Sequence, residues 1–215
     1  MPFIKTGGLA DVVGSLPKCI DKEYYDVRVI LPKYSCMKPQ MQEKLQYITH
    51  FYMDFNWHEE YVGVLGANVD GIQYYFIDNE HYFTGFKPYG DDVLFEIEKY
   101  SYFCKAVLSA LPLIGFQPDI IHCHDWQTGL IPIFLDNFRY SNEYYRGIKT
   151  VMTIHNLKFQ GMWDAKKVRD ITGLPEYYFV PDKLTSYDDA NMLKGGIVYA
   201  DKVTTVSSSY AEEIK

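Results

Sequence analysis

Long apolar runs are missing from this 215-residue chain. No stretch approaches the roughly 18 apolar residues of a membrane-spanning helix, so no membrane segment is expected. Positive charge is also scarce. Lys and Arg number 21 against 28 Asp and Glu, for a net charge of −7 and a pI of about 5.3. Nucleic acid and anionic membranes select for a basic surface, so neither is an expected partner. Cysteine is sparse and scattered at Cys19, Cys36, Cys104 and Cys123, with no C-x-x-C pair. That pattern excludes a disulfide framework and points to reduced thiols in a cytosolic protein. Repeats, low-complexity tracts and internal linkers are absent too, so one domain is expected. No signal or transit peptide stands at the N-terminus. Only four residues precede the glycine turn that begins at Lys5, and an open α/β sheet places a buried strand before such a turn. The chain therefore reads as lacking that strand.

What is present is an ordinary globular composition, 47% hydrophobic and 23% charged, with one informative stretch near the start. Residues 5–14 read KTGGLADVVG. Lys5 precedes Gly7 and Gly8, and the apolar residues Leu9, Val12, Val13 and Leu16 follow at helical spacing. A glycine turn feeding a helix leaves N–H groups without partners at the positive end of the helix dipole. Lys5 adds a full charge. Spacing alone leaves two readings open: a phosphate or diphosphate site, or a plain turn with a surface lysine. The stretch is neither a Walker A loop nor a G-x-G-x-x-G fingerprint. Asp11 lies one turn into the helix, where a carboxylate either offsets the dipole or meets substrate.

The pattern along the chain predicts an α/β fold. A helix over 8–20 contains Pro17, and a strand over 26–31 is apolar enough to be central in a parallel sheet. Three strands over 46–56, 61–69 and 72–77 form an antiparallel excursion, with Asp70-Gly71 as a type I′ hairpin turn. A Gly/Pro/aromatic loop over 81–92 carries Tyr89, Asp91 and Asp92. Asp92 caps a helix over 93–111. Strands over 120–123 and 149–154 alternate with a helix over 127–137. A loop with short helices covers 156–186, then come a helix over 191–199, a strand over 202–206 and a last helix from 208. Such alternation makes a parallel sheet.

His122, His124 and Asp125 form H-x-H-D at a strand end. Two histidines at i and i+2 share a strand face and suit zinc, so a metal-dependent hydrolase is a competing class. The residues that follow, Trp126, Gln127 and Thr128, supply no further ligand, and no metal is expected. In the plainer alternative His122 and Cys123 pack in the sheet and Asp125 caps the helix that begins at Trp126. His155 lies at another strand C-terminus, beside Asn156. Ligands of open α/β sheets bind at such strand ends.

Together KTGGLADVVG (5–14), IIHCHDWQTGL (120–130), VMTIHNLKFQGMW (151–163) and LKGGIVYADKVTTVSSSYAEEI (193–214) resemble the bacterial glycogen synthases and plant starch synthases. These are retaining glucosyltransferases that use a nucleotide-glucose donor. The resemblance implies a GT-B enzyme of two facing Rossmann-like domains, of which this chain is the N-terminal, acceptor-side one. It implies transfer of glucose from ADP-glucose to the non-reducing end of an α-1,4-glucan, with retention. ADP-glucose is then a substrate and no cofactor is needed. His155 and Asp125 are implied at the reacting glucose, with Trp126 shaping the pocket. Lys5, Gly7, Gly8 and Asn156 are implied at the donor. Asp11, Tyr89, Gln160 and Asn191 are candidates at the acceptor, and Lys194 matches a segment bordering the cleft. The expected partners are the donor, the glucan and the enzyme's own C-terminal domain, without which this piece should be inactive. The expected location is the bacterial cytoplasm. Two alternatives stay open: another GT-B enzyme, such as a sucrose or trehalose-phosphate synthase, and a noncatalytic glucan-binding module.

Overall fold

A computed structural model describes residues 2–5 and 7–215. The chain groups into two compact units, one of residues up to Met53 with Glu60–Gly90, the other of Asp54–Glu59 with Asp91–Lys215.

In the first unit, helix α1 (Gly8–Cys19) starts directly after Gly7, with Asp11 in its first turn and Lys18 in its last. Pro17 is buried within it, and the helix runs two residues past it. Strand β1 (Arg28–Pro32) follows, then a single helical turn, α2 (Pro39–Gln42), and the strands β2 (Gln46–Phe55), β3 (His58–Val69) and β4 (Ile72–Asp78). The strand order is β1-β4-β3-β2. β4 pairs antiparallel with β3 and parallel with β1, in the register Arg28↔Gln73 to Pro32↔Ile77. So the expected central position of β1 is not observed: among the described residues β1 is an edge strand, bonded only to β4. Its apolar character is explained by burial of Val29 and Leu31. Asp70 and Gly71 both take positive φ (54° and 71°), as a type I′ turn requires. Phe3 packs edge-on against Tyr74 and Phe76. A short helix, α3 (Glu80–Phe83), is capped by the Asn79 side chain, which accepts from the amides of His81 and Tyr82.

The second unit holds the long helix α4 (Val93–Ala110), whose Asp92 cap accepts from the Phe95 amide at 3.1 Å. Strand β5 (Ile120–His124), helix α5 (Ile131–Ser141) and strand β6 (Lys149–Ile154) come next. α5 begins four residues later than its predicted start at 127. Pro132 sits in its first turn, where a missing N–H is harmless, and a 3-10 turn fills Trp126–Thr128.

The predicted loop over 156–186 is more ordered than expected. It contains β7 (Met162–Asp164), α6 (Ala165–Thr172) and β8 (Thr185–Ser186). With β9 (Asp189–Asn191) these strands make a small antiparallel sheet in the order β7-β9-β8. Helix α7 (Met192–Tyr199), strand β10 (Lys202–Thr205) and helix α8 (Ser208–Glu213) complete the unit. β10, β6 and β5 form a parallel sheet in that order. The tip of the β2–β3 hairpin also belongs here. Asn56 and Trp57 both have positive φ, and the Asn56 amide donates to the Ile171 carbonyl. The fold class is therefore α/β as expected: among the described residues one sheet is parallel, one mixes parallel and antiparallel pairs, and one small sheet is antiparallel. No helix among the described residues is long and apolar enough to cross a membrane.

Candidate active site

The C-terminal ends of β5 and β6 lie side by side, with His124 in register with Thr153. That pairing brings Asp125, one residue past β5, to the start of the loop after β6. Oδ1 of Asp125 accepts from the backbone N–H groups of His155 at 2.7 Å and Asn156 at 3.2 Å. The carboxylate makes no helix cap, so the capping role considered for it is corrected. It clamps a neighbouring strand end instead. The backbone of Asp125 adopts φ 55° and ψ −176°, a region that is essentially glycine's own. A non-glycine residue held there is strained by about 1–3 kcal/mol, and such strain clusters at functional sites.

Three imidazoles gather at this point. His124 Nδ1 lies 3.0 Å from His155 Nε2. The rings of His122 and His124 sit 4.2 Å apart, and His122 Nε2 lies 2.6 Å from Thr153 Oγ1, which meets Thr204 Oγ1 at 2.7 Å. Burial pushes the His124 pKa down to about 3, helped by repulsion from His122 and His155. Burial also lowers the His155 pKa, against the opposing pull of Asp125. Both rings are thus neutral at neutral pH. They act as hydrogen-bonding groups, not as cations. Among the described residues no group of three or more His, Cys, Asp or Glu side chains is arranged to hold a metal ion.

The loop from His155 to Gly161 is fastened along its length. The Leu157 amide donates to Tyr210 Oη at 2.9 Å, and Asn156 Oδ1 accepts from the Lys158 amide at 3.0 Å. The carbonyls of Gln160 and Gly161 receive the first amides of α7, from Leu193 and Met192. Glycines allow this close packing. A Cβ on Gly161, which has φ 63°, would come within 2.3 Å of the Trp126 ring, and one on Gly129 within 2.2 Å of the Met192 carbonyl oxygen. Sequence reasoning singled out neither the packing of Gly161 nor Tyr210, Thr153 and Thr204. The small residues of QTGL and KGGI were the available signal.

Two of the candidate acceptor residues serve each other. Asn191 is 4% exposed. Its Nδ2 donates to Gln160 Oε1 at 2.6 Å, and its Oδ1 accepts from the Lys194 amide as the cap of α7. Lys194 Nζ is tied to the carbonyls of Pro181 and Thr185. These are structural tasks. Asn156 is exposed beside His155.

The remaining candidates belong to the first unit. Gly7 and Gly8 have open space where a Cβ would stand, and Gly7 is extended at φ 175°. Neither packing nor backbone conformation demands glycine there, which leaves room for a ligand at the amides. Lys5 Nζ pairs with Asp11 Oδ1 at 2.7 Å, and both side chains are more than half exposed. Lys5, through that bond and its charge, holds the Asp11 carboxyl below its ordinary pKa. Tyr89 is partly exposed. Residue 6 of the motif lies outside the described residues.

Across all of residues 1–215 the sequence matches the family model for the starch synthase catalytic domain. The chain belongs to that family. Within the starch synthase catalytic domain family it is 63% identical over 215 residues to a glycogen synthase of Lachnospira eligens and 63% identical to one of Lachnoclostridium phytofermentans. Both matches cover the whole chain and 45% of the relative, so the chain spans about half the length of these curated relatives. A solved structure, the catalytic domain of starch synthase IV from Arabidopsis thaliana bound to ADP and acarbose, superposes with a TM-score of 0.88 at 32% identity. That match covers 99% of this chain and 44% of the other. It agrees with the expected half of a GT-B architecture.

Proposed function

We propose that the protein containing this chain is a glycogen synthase. It transfers glucose from ADP-glucose to the non-reducing end of an α-1,4-glucan, with retention of configuration. The observation that carries this reading is the strained Asp125 clamp. It fixes the His155–Asn156 loop at two strand ends, in a chain that matches the starch synthase domain throughout. The neighbour's bound ADP and acarbose support the choice of donor and acceptor class.

In this reading His155 offers Nδ1 to the donor glucose, since its Nε2 is engaged with His124. A neutral imidazole placed there stabilises charge developing at the sugar by a preorganised hydrogen bond. Asp125 acts through the loop it holds, and Asn156 presents its amide beside the sugar. In the first unit, Lys5 and the amides at Gly7 and Gly8 bind the donor diphosphate. A diphosphate neutralised by basic groups needs no metal ion. Further diphosphate and ribose contacts come from a C-terminal domain, the chain's obligate partner, and the whole acts in the cytoplasm. The full-length protein, supplied with glycogen and either ADP-glucose or UDP-glucose, should elongate the glucan from ADP-glucose. No transfer from either donor would reject the reading.

A further inference from the structure

We propose that His124 is a positioning residue for His155: the hydrogen bond between His124 Nδ1 and His155 Nε2 holds the catalytic ring and fixes which of its nitrogens carries the proton. The inference rests on the glucosyl-transfer reading above, which uses this bond only to leave Nδ1 of His155 for the sugar and gives His124 no part in holding the ring.

Three observations carry it. The first is the bond itself, 3.0 Å between two ring nitrogens. Two neutral imidazoles meeting nitrogen to nitrogen need one donor and one acceptor, so the tautomer of one ring dictates that of the other. The second is that His124 is itself held. Its backbone amide donates to Thr128 Oγ1 at 2.6 Å, and Thr128 Oγ1 donates back to the His124 carbonyl at 2.9 Å. The His122 ring flanks it at 4.2 Å and is fastened through Thr153 to Thr204. A support that could swing would position nothing. The third is position. His124 closes β5 and His155 follows β6, and the two strands are paired in parallel. The backbone of His155 is clamped from one side by Asp125, and its ring from another by His124. Main chain and side chain are thus fixed by adjacent residues of a single strand end. The lowered pKa values of His124 and His155 agree with a pair that stays neutral and does not share a positive charge.

The test uses the full-length enzyme with ADP-glucose and glycogen. His124→Phe keeps a ring of similar size and removes the bond. His124→Asn places an amide near the position of Nδ1 and can restore it. His155→Ala is the control for the underlying reading. His124→Phe should lower kcat on the order of 10- to 100-fold, the scale of a misplaced reacting group, with KM for glycogen nearly unchanged. His124→Asn should recover most of that loss. Ring ¹⁵N chemical shifts should show one fixed tautomer of His155 in the wild type and in His124→Asn, and a mixture in His124→Phe. Melting temperatures identify any variant that has lost its fold, and the tautomer measurement then decides, because it needs no turnover. Near-native kcat in His124→Phe alongside a damaged His155→Ala overturns the positioning role alone. Full activity in His155→Ala overturns the assignment of His155, and the positioning role with it.

Discussion

A single carboxylate oxygen of Asp125 receives the backbone amides of both His155 and Asn156, residues 30 and 31 positions away in sequence. The two hydrogen bonds to a charged acceptor hold Asp125 in a backbone conformation that its own Cβ opposes. Each such bond contributes about 1.5–3 kcal/mol, which is enough to offset strain of 1–3 kcal/mol.

The substitution series at this position follows directly. Asp125→Asn keeps an acceptor but not its charge and should cost about 2 kcal/mol. Asp125→Ala loses both bonds of the clamp and retains the strain, so it should cost about 3–6 kcal/mol. Asp125→Gly loses the clamp but relieves the strain, and should be more stable than Asp125→Ala by about 1 kcal/mol. Urea denaturation of the three variants checks the order. A glycine variant less stable than the alanine one would mean that the clamp does not balance backbone strain.

The glycines divide into two kinds that the sequence alone does not separate. Gly161 has positive φ and a tryptophan ring against its Cα, so Gly161→Ala should cost about 2–4 kcal/mol by strain and overpacking combined. Gly8 stands in open space at a helix start. Gly8→Ala should leave stability unchanged or raise it by up to about 1 kcal/mol through helix propensity, yet weaken use of the nucleotide-glucose donor. Melting temperature and donor KM measured on the same preparation of the full-length enzyme separate the two effects. A Gly8→Ala enzyme with native donor kinetics would remove this turn from the site.

The contrast between these glycines shows where sequence reading stops. Local signals were legible. Asp70-Gly71 gave the hairpin, Asp92 gave the cap of α4, and the apolar segments gave β5 and β6. The strand ends that carry His124, Asp125 and His155 were legible as the ends of those apolar segments. What was hidden depends on distant partners. β7, β8 and β9 are two or three residues long, too short to carry a periodicity of their own, and β7 exists only by pairing with β9 some 25 residues further on. Asp125 looked like a helix cap because its true partners lie just past another strand, some 30 residues away. Asn191 looked like a ligand contact, and only its burial against Gln160 shows that its amide is already used. The Asp164 cap and the left-handed Gly173 that bound α6 were readable and were passed over.

Acid should destabilise the fold through His124. Its folded pKa is about 3, while an unfolded histidine titrates near 6.5. Between those values the unfolded chain binds a proton that the folded one does not, so stability falls as pH falls from about 6.5 toward 3. The slope attributable to this one group reaches at most about 1.4 kcal/mol per pH unit. Carboxylates add their own acid dependence, so the informative quantity is the difference between wild type and His124→Asn. That difference should shift in favour of the variant as pH drops from 7 to 4. Parallel stability curves would show that His124 is not held neutral by the fold.

Lys5 and Asp11 offer a test that separates charge pairing from ligand binding. Their ion pair is exposed on both sides, and exposed pairs contribute little to stability. Lys5→Ala and Asp11→Asn should therefore melt within a few degrees of wild type. Their kinetics should diverge. If Lys5 holds the donor diphosphate, Lys5→Ala weakens donor use in the full-length enzyme by about 1–3 kcal/mol, the scale of a charge-assisted hydrogen bond. Asp11→Asn has the opposite sign. If Asp11 competes with the diphosphate for Lys5, removing the carboxylate charge frees the ammonium and should lower KM for ADP-glucose. If Asp11 instead contacts the glucan, Asp11→Asn raises KM for the acceptor and leaves the donor constant alone. Measuring both constants in both variants decides between these roles. Unchanged donor kinetics in Lys5→Ala would leave the lysine as nothing more than the partner of Asp11.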